Sequence, residues 1–417
     1  MRSKILLFLF SAVLTVGAVF GVTNFAKAAV TEVGPPIYKM FKDTTVGPRS
    51  VFPLASFMMS GDNSSTLTKV GFNIRASSTM DNLTQISGVA LYKESGTNSG
   101  FNPNEDTYLP GSYRPSAALS TTTMTIIDMG AGYVVPISNS EFYLVASTSA
   151  MTSIINGNAF DVVIASGYAS TSAPSIIGSN SPENPKKFIL QKTVPVKISE
   201  IKAGSTGNGK DEFVELYNPN DFYINLNQIK TDGDLALYGY GTSTHFALTF
   251  SPNKNYIAPF SYFLLTSATN YSGSVSADAT FSNLTSDLLI ANGGLLIATS
   301  TVAANATSTK VDMLGYGTQM SVNCENSDTA GSVCAAALVE DGSSLERIAQ
   351  GYPSATSTNT LLASGGAHQM MGNGVDRNDN SAEFVAQTTA NPQNTMSPKE
   401  MSFDGGFTDN SAPKVMG

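Results

Sequence analysis

The chain has 417 residues, of which 41% are hydrophobic and only 13% charged, and its formal net charge is −9. That acidic balance, with no clustered Lys and Arg, argues against a nucleic-acid partner, whose phosphates need a basic surface. Ser, Thr, Asn and Gly keep the surface wet in place of charge, a composition that suits an extracellular β protein better than a cytosolic enzyme.

Residues 1–28 read as a secretory signal. Arg2 and Lys4 precede the apolar run Ile5–Val22, and Ala26-Lys27-Ala28 supplies a small-x-small cleavage site. The run is just long enough to cross a bilayer, so an uncleaved anchor is the alternative and the single route to a membrane partner. Cleavage after Ala28 removes Arg2, Lys4 and Lys27 and leaves 20 basic against 32 acidic residues, a net charge of −12.

Residues 29–49 form a lead-in with Pro35-Pro36. From Ser50 short apolar runs alternate with polar turns, predicting strands at Val51–Met58, Leu67–Ile74, Ile86–Tyr92, Met124–Ile127, Glu141–Ala146 and Phe160–Ala165. In Thr68–Ile74, Val70, Phe72 and Ile74 share one face while Lys69, Gly71 and Asn73 share the other. One buried and one wet face is the condition for an antiparallel sandwich, and no amphipathic helix of three turns is expected. The segment VALYKESGTNSGFNPNEDTYLPGS resembles a loosely defined module of bacterial and archaeal surface proteins, which implies an N-terminal β-sandwich over residues 50–167 and no defined activity. Residues 168–192, rich in Ser, Pro, Asn and Gly, read as a linker.

In Val196–Asn220 two strand-length runs, Val196–Ile201 and Phe213–Tyr217, flank a polar loop, and the second ends in the turn Asn218-Pro219-Asn220-Asp221. Parity places Val214 and Leu216 on one face of the second run and Phe213, Glu215 and Tyr217 on the other. Ile198, Glu200 and Ile201, then Phe213 with Glu215–Pro219, then Ile224, Leu226 and Ile229 match three successive strands of the lamin tail domain. Further matches follow in order at Ile257–Leu265, Leu288–Ala298, Val311-Asp312 with Gly315–Gly317, Ser344–Ile348, Asp376–Phe384 and Asn391–Asn394. Residues 193–395 are thus similar to that family, which implies an immunoglobulin-like sandwich, here with insertions at Thr318–Gly342 and Ala349–Gly372. The expected fold class is all-β, two sandwiches in series. Residues 396–417 read as a polar tail, and Asp409–Val415 resembles the lead-in to a further immunoglobulin-like module, so a longer array is expected.

Little chemistry is legible. His245 and His368, the only histidines, stand in no nucleophile or metal motif, and no phosphate loop occurs, so no enzyme is expected. Glu200 and Glu215 face each other across the first hairpin in the manner of an acid/base pair, yet the family scaffold accounts for both. Cys324 and Cys334 lie close in sequence, and in an exported chain they are expected to form a disulfide, which for so small a ring adds about 2.5–3 kcal/mol. No cofactor is expected other than a structural Ca2+. Two loops alternate oxygen-bearing side chains as such a cation requires: Asn102, Asn104 and Asp106, and Asp376, Asn378 and Asn380. Asx-rich turns that cap their own backbone give the same pattern. N-x-S/T triplets at Asn63, Asn82, Asn270, Asn283 and Asn305 are expected by chance in such a composition.

These features point to a non-catalytic secreted or cell-envelope module for structural or adhesive interaction, with an unidentified protein or glycan partner. Carbohydrate binding is the alternative, with Tyr217, Tyr238, Tyr240 and Tyr256 as stacking platforms. A third reading is the non-catalytic part of a longer secreted hydrolase.

Overall fold

The computed structural model describes residues 32–33, 37–38, 43–80, 83–97, 100–164, 168–171, 187–192, 196–204, 211–231, 235–240, 244–251, 254–269, 271–282, 289, 293–298, 310–317, 334–335, 343–349, 358–376 and 379–401. β1 (Glu32–Val33), β2 (Ile37–Tyr38) and β3 (Thr44–Val46) precede the long strands β4 (Ser50–Ser60), β5 (Thr66–Ala76) and β6 (Ile86–Lys93). β7 (Thr107–Tyr108), β8 (Arg114–Pro115), β9 (Thr125–Val134), β10 (Ser140–Thr148), β11 (Ala159–Val163), β12 (Ala169–Thr171) and β13 (Phe188–Leu190) complete the first region. In the second, β14 (Lys197–Lys202), β15 (Phe213–Asn218) and β16 (Tyr223–Asn225) lead into the short helix α1 (Leu226–Thr231). β17 (Ala236–Tyr240), β18 (Thr244–Phe250), β19 (Tyr256–Ile257), β20 (Ser261–Ser267) and β21 (Ala279–Ser282) follow. β22 (Gly293–Ala298), β23 (Lys310–Tyr316), β24 (Ser344–Arg347), the one-turn helices α2 (Asn359–Leu362) and α3 (Asn380–Glu383), and β25 (Phe384–Gln387) end the fold. The chain is all-β, as its alternation predicts.

The six strands expected between Ser50 and Gly167 are β4, β5, β6, β9, β10 and β11. They divide between a nine-stranded sheet with the central order β19-β16-β4-β10-β6-β7 and a six-stranded sheet built around β5. The sheets meet through aromatic rings: Phe52 of β4 stacks on Phe188 of β13 at 4.4 Å, and Phe57 meets Tyr168 edge-on at 5.3 Å. Val70, Phe72 and Ile74 point into this core while Lys69 is exposed. Pro53 is tolerated in a central strand because the register of β4 against β10 shifts there, between Leu144 and Val145.

The segments read as lead-in and linker contribute strands. β1 and β2 pair with β4, and β3 runs parallel to β13. β12 and β13, from the polar segment 168–192, pair with β5 and β11. The short apolar sets Ala169 and Phe188-Ile189-Leu190 are enough to recruit otherwise polar chain into the core.

The ten strands β14, β15, β17, β18 and β20–β25 form the second region's sheet. β18 belongs to both of its ends, pairing through Thr244–Phe246 with β17 and through Ala247–Phe250 with β21, the way sandwich strands pass from one layer to the next. Leu226 and Ile229, expected in a strand, lie instead in α1. Asn225 Oδ1 accepts the Gln228 N–H at 2.8 Å and caps the helix, whose i, i+3 spacing buries both side chains.

The two regions are not simply in series. β16 adds to the edge of β4, Tyr223 opposite Val51 and Ile224 opposite Ser50, and β19 pairs on its far side. Asn225 N–H donates to Arg49 C=O at 3.0 Å, and the ring of Phe222 meets Phe52 at 6.4 Å. One sheet therefore crosses the junction.

Candidate functional site

Three arrangements gather the polar and aromatic residues of the chain. The first is built around Arg347 of β24, which is fully buried. Its Nη2 donates to Asp312 at 2.8 Å and Nη1 to Glu383 at 3.0 Å; Nε and Nη1 also donate to the carbonyls of Ile198 and Val375. The guanidinium lies 4.5 Å from the centre of the Phe384 ring. Asp312 also accepts the Ile198 N–H at 2.5 Å. The planar fork of Arg matches so many fixed acceptors in a way that a Lys ammonium cannot. The motif residues Asp312, Arg347, Glu383 and Phe384, far apart in sequence, thus meet at one place. The arrangement ties three strands and α3 together and leaves no group open to a substrate.

The second is a row of carboxyls. Glu215, Glu200 and Glu346 stand opposite one another on the neighbouring strands β15, β14 and β24, as expected for the first two. All three are buried, and residues 388–401 cross this face of the sheet over Glu200 and Glu215. Glu200 accepts the Asn391 N–H at 3.2 Å, and Glu215 accepts the Gln393 N–H at 2.5 Å and the Ser199 hydroxyl at 2.6 Å. Ser199 reaches it because the β14 register shifts between Ile198 and Glu200. Glu346 is held by the side-chain amides of Asn373 and Gln387, and Ser344 donates to Glu200. Glu400, on the crossing segment, accepts from Tyr262 OH at 2.5 Å and Gln393 Nε2 at 2.6 Å.

Directly opposed carboxylates, about 5 Å apart, repel by about 3 kcal/mol per pair at an effective dielectric of 20. A hydrogen bond to a charged acceptor returns about 1.5–3 kcal/mol. Burial and repulsion together therefore win. Burial, then the charge of Glu346, pushes Glu200 up to about 8. Burial, then the charge of Glu200, holds Glu215 well above the carboxylate range, and burial raises Glu346 and Glu400.

The third arrangement lies at the junction. Phe101 stands over the outer face of the continuous sheet, with ring centres 5.3 Å from Tyr92, 5.6 Å from Tyr143 and 5.8 Å from Tyr223. Tyr92 also meets Tyr108 at 5.7 Å, and Tyr256 and Ala258 pack against the cluster from the second region. The loop that carries Phe101 is shaped by its acids. Asp106 accepts the N–H groups of Ser95 and Asn102, at 3.1 and 2.8 Å, and Asn102 Oδ1 accepts Asn104 N–H at 3.0 Å. Glu94 accepts Gly96 and Gly100 N–H and the Tyr143 hydroxyl at 2.6 Å. Burial raises the Asp106 carboxyl and the Tyr92, Tyr143 and Tyr223 phenols, so these phenols stay neutral. The centre of the cluster is closed. Its rim is open at Tyr108, which is 40% exposed, and at the exposed Glu105.

In the first candidate Ca2+ loop the oxygens of Asn102 and Asp106 accept backbone N–H groups, including that of Asn104, as in an Asx turn. In the second, Asp376 pairs with Lys197, while Asn380 turns to Gly315 N–H and Met313 C=O at 2.8 and 2.9 Å; Asn378 lies outside the described residues. Among the described residues no group of three or more His, Cys, Asp or Glu is placed to hold a metal ion. Cys324 lies outside the described residues, and Cys334 sits beside Ala335, which bridges to Tyr316. Of the tyrosines considered for stacking, Tyr217 is covered by the crossing segment and donates to Glu400 C=O. Tyr238 packs with Ala236, Leu296 and Met313, the side chain of Tyr240 is outside the described residues, and Tyr256 joins the junction. His245 lies opposite Tyr238 in the ladder, and its side chain is likewise not described; His368 is buried in a loop.

Sequence reasoning missed Glu346, Glu400 and Phe101. Glu346 follows the core residue Leu345, so strand parity places it on the face of Glu200. A lone Phe in a polar loop is a weaker sign, and nothing in the polar stretch around Glu400 marks it as buried.

No protein-family model and no curated protein matches the chain. Among solved structures the chain is distantly similar to the following two. The Hadza microbial sialidase Hz136 is 9% identical, with 73% of this chain aligned, 64% of that chain covered and a TM-score of 0.23. The Actinomyces fimbrial adhesin FimA is 12% identical, with 68% of this chain aligned, 99% of that chain covered and a TM-score of 0.14. At such scores neither likeness bears on function. Among the described residues no helix is long and apolar enough to cross a membrane; residues 5–22 lie outside them.

Proposed function

We propose that this chain is a non-catalytic, exported structural or adhesive module of the cell envelope. In this reading it meets its partner at the aromatic and acidic rim of the junction. The observation that carries the reading is the aromatic row Tyr256, Tyr223, Phe101, Tyr143, Tyr92 and Tyr108. Both regions contribute to it, and it ends in the exposed pair Tyr108 and Glu105. Aromatic side chains with one polar end are favoured at binding surfaces. Export is supported by residues 1–28, and the lamin-tail-like assignment of residues 193–395 by the convergence of its motif residues on Arg347.

Binding of the purified protein to isolated envelope material tests the reading. Tyr108→Ala with Glu105→Ala is expected to reduce retention at least fivefold while the melting temperature stays unchanged; equal retention overturns it. Carbohydrate as the ligand is the second reading, favoured by the position of Tyr256 on the same rim. Glycan-array hits that vanish in Tyr108→Ala and Tyr256→Ala would support it, and a blank array would leave a protein partner. N-terminal sequencing of the exported protein is expected to begin at Ala29. Thiol labelling without reductant is expected to find neither Cys324 nor Cys334.

A further inference from the structure

We infer that residues 388–401 act as a strap latched by protons. They lie closed across β14 and β15, over a row of directly opposed carboxyls, and they loosen as these carboxyls take on charge. The inference stands apart from the proposed function and would survive its failure.

The geometry leaves few alternatives. Glu215, Glu200 and Glu346 are in register on neighbouring strands, and two of them hold the strap directly through the backbone N–H groups of Asn391 and Gln393. The strap brings a fourth carboxyl, Glu400, to the same face. Among the described residues, every hydrogen bond to these four carboxyls comes from a hydroxyl, an amide side chain or a backbone N–H, and none from Lys, Arg or His. The other titratable groups facing the row are Lys202 from β14, whose charge opposes the rise at Glu200, the phenols Tyr217 and Tyr262 from β15 and β20, and Tyr271. Among the described residues, Lys202 is the one cation acting on the row, and it does not balance four acids. Farther along, Thr395 donates to Asp278 at 2.6 Å, and Asp278 pairs with Lys254 at 3.3 Å. Asn394 Nδ2 also donates to Ser276 C=O and Glu400 N–H to Phe260 C=O, both at 2.8 Å, and these attachments confine the loosening to the parts of the strap that lie over the glutamates.

The direction follows from the raised carboxyls. A group whose folded value exceeds its unfolded one stabilises the closed form at low pH and loses that effect as pH rises through the folded value. For Glu200 that window runs from the ordinary carboxylate range to about 8. Hydrogen exchange of the full chain, corrected for the intrinsic pH dependence, reads it out at Asn391 and Gln393. Their protection is expected to fall at least tenfold between pH 6 and pH 9, with protection in β5 and β10 unchanged. Glu200→Gln with Glu215→Gln removes the two opposed charges and is expected to keep the strap protected at pH 9. Constant protection in the wild type overturns the inference, as does an undiminished loss in a folded double variant. If the double variant fails to fold, limited proteolysis of the wild type across the same pH range decides the matter: cleavage within 388–401 must appear at pH 9 and be absent at pH 6.

Discussion

The two regions solve the same problem, closing a β-sandwich, with different materials. The first packs aromatic rings, with Phe52, Phe57, Phe142, Phe160 and Phe188 gathered in its core, and its ion pairs each keep at least one half-exposed partner. The second buries charge. Arg347, Asp312 and Glu383 are sealed inside it, and a row of glutamates lies under a strap. An aromatic core is forgiving, because any ring of the right volume fills its place. A buried charge fixes its partners, since removing one member strands the others. The second region is therefore the more specific structure and the more easily broken.

Arg347→Ala tests that contrast most severely. It leaves Asp312 and Glu383 buried without a cation and is expected to destabilise the protein by about 3–5 kcal/mol, read by urea unfolding. Arg75→Ala, which removes the bidentate partner of the buried Asp161 in the first region, is expected to cost less, about 1–3 kcal/mol, because Arg75 itself is half solvated and water can take its place at the carboxylate. Comparable losses from the two would erase the distinction. Phe101→Ala is expected to remove about 3 kcal/mol. It should also split one unfolding transition into two, since Phe101 bridges strands of both regions; a single transition would show that β16 on β4 suffices to join them.

The regions should also respond to pH in opposite senses. The raised carboxyls of the second predict a melting temperature that falls as pH rises from 5 towards 9. In the first, backbone N–H groups hold Asp62 and Asp128 below the carboxylate range. Their stabilisation is present above that range and is lost as pH falls, a small effect at so exposed a surface. Asp106, raised by burial, runs against that trend within its own region. Domain-resolved calorimetry of the Phe101→Ala protein separates the two slopes, and slopes of the same sign would count against the contrast. The smallest effect is expected for Lys69→Ala: Lys69 pairs with Asp128 where both are half exposed and screened by solvent, so the urea midpoint should stay at the wild-type value.

What the sequence discloses follows the same divide. β5 was legible because Val70, Phe72 and Ile74 alternate with polar residues, and the opposition of Glu200 and Glu215 because a hairpin fixes its own register. Which edge β4 would offer, and to which strand, was not legible, since pairing across distant chain leaves no local mark. Residues 168–192 look like a linker because Phe188, Ile189 and Leu190 form too short a run, in a stretch rich in Ser, Pro and Asn, to show a period. The burial of Glu200 was hidden for a related reason: its cover is Asn391–Glu400, a polar segment that reads as solvated until its partners are known. Asn225 illustrates the local version, where one capping side chain turned an expected strand into α1.

The addition of β16 to β4 has a consequence for the history of each molecule. Chains are made from the N-terminus, so β4 emerges and pairs with its neighbours long before Tyr223 and Ile224 exist. During that interval part of its edge is bare, and bare edges pair with those of other molecules. The nascent protein is thus most vulnerable in the middle of its synthesis, and a fragment ending before Phe222 would remain in that state.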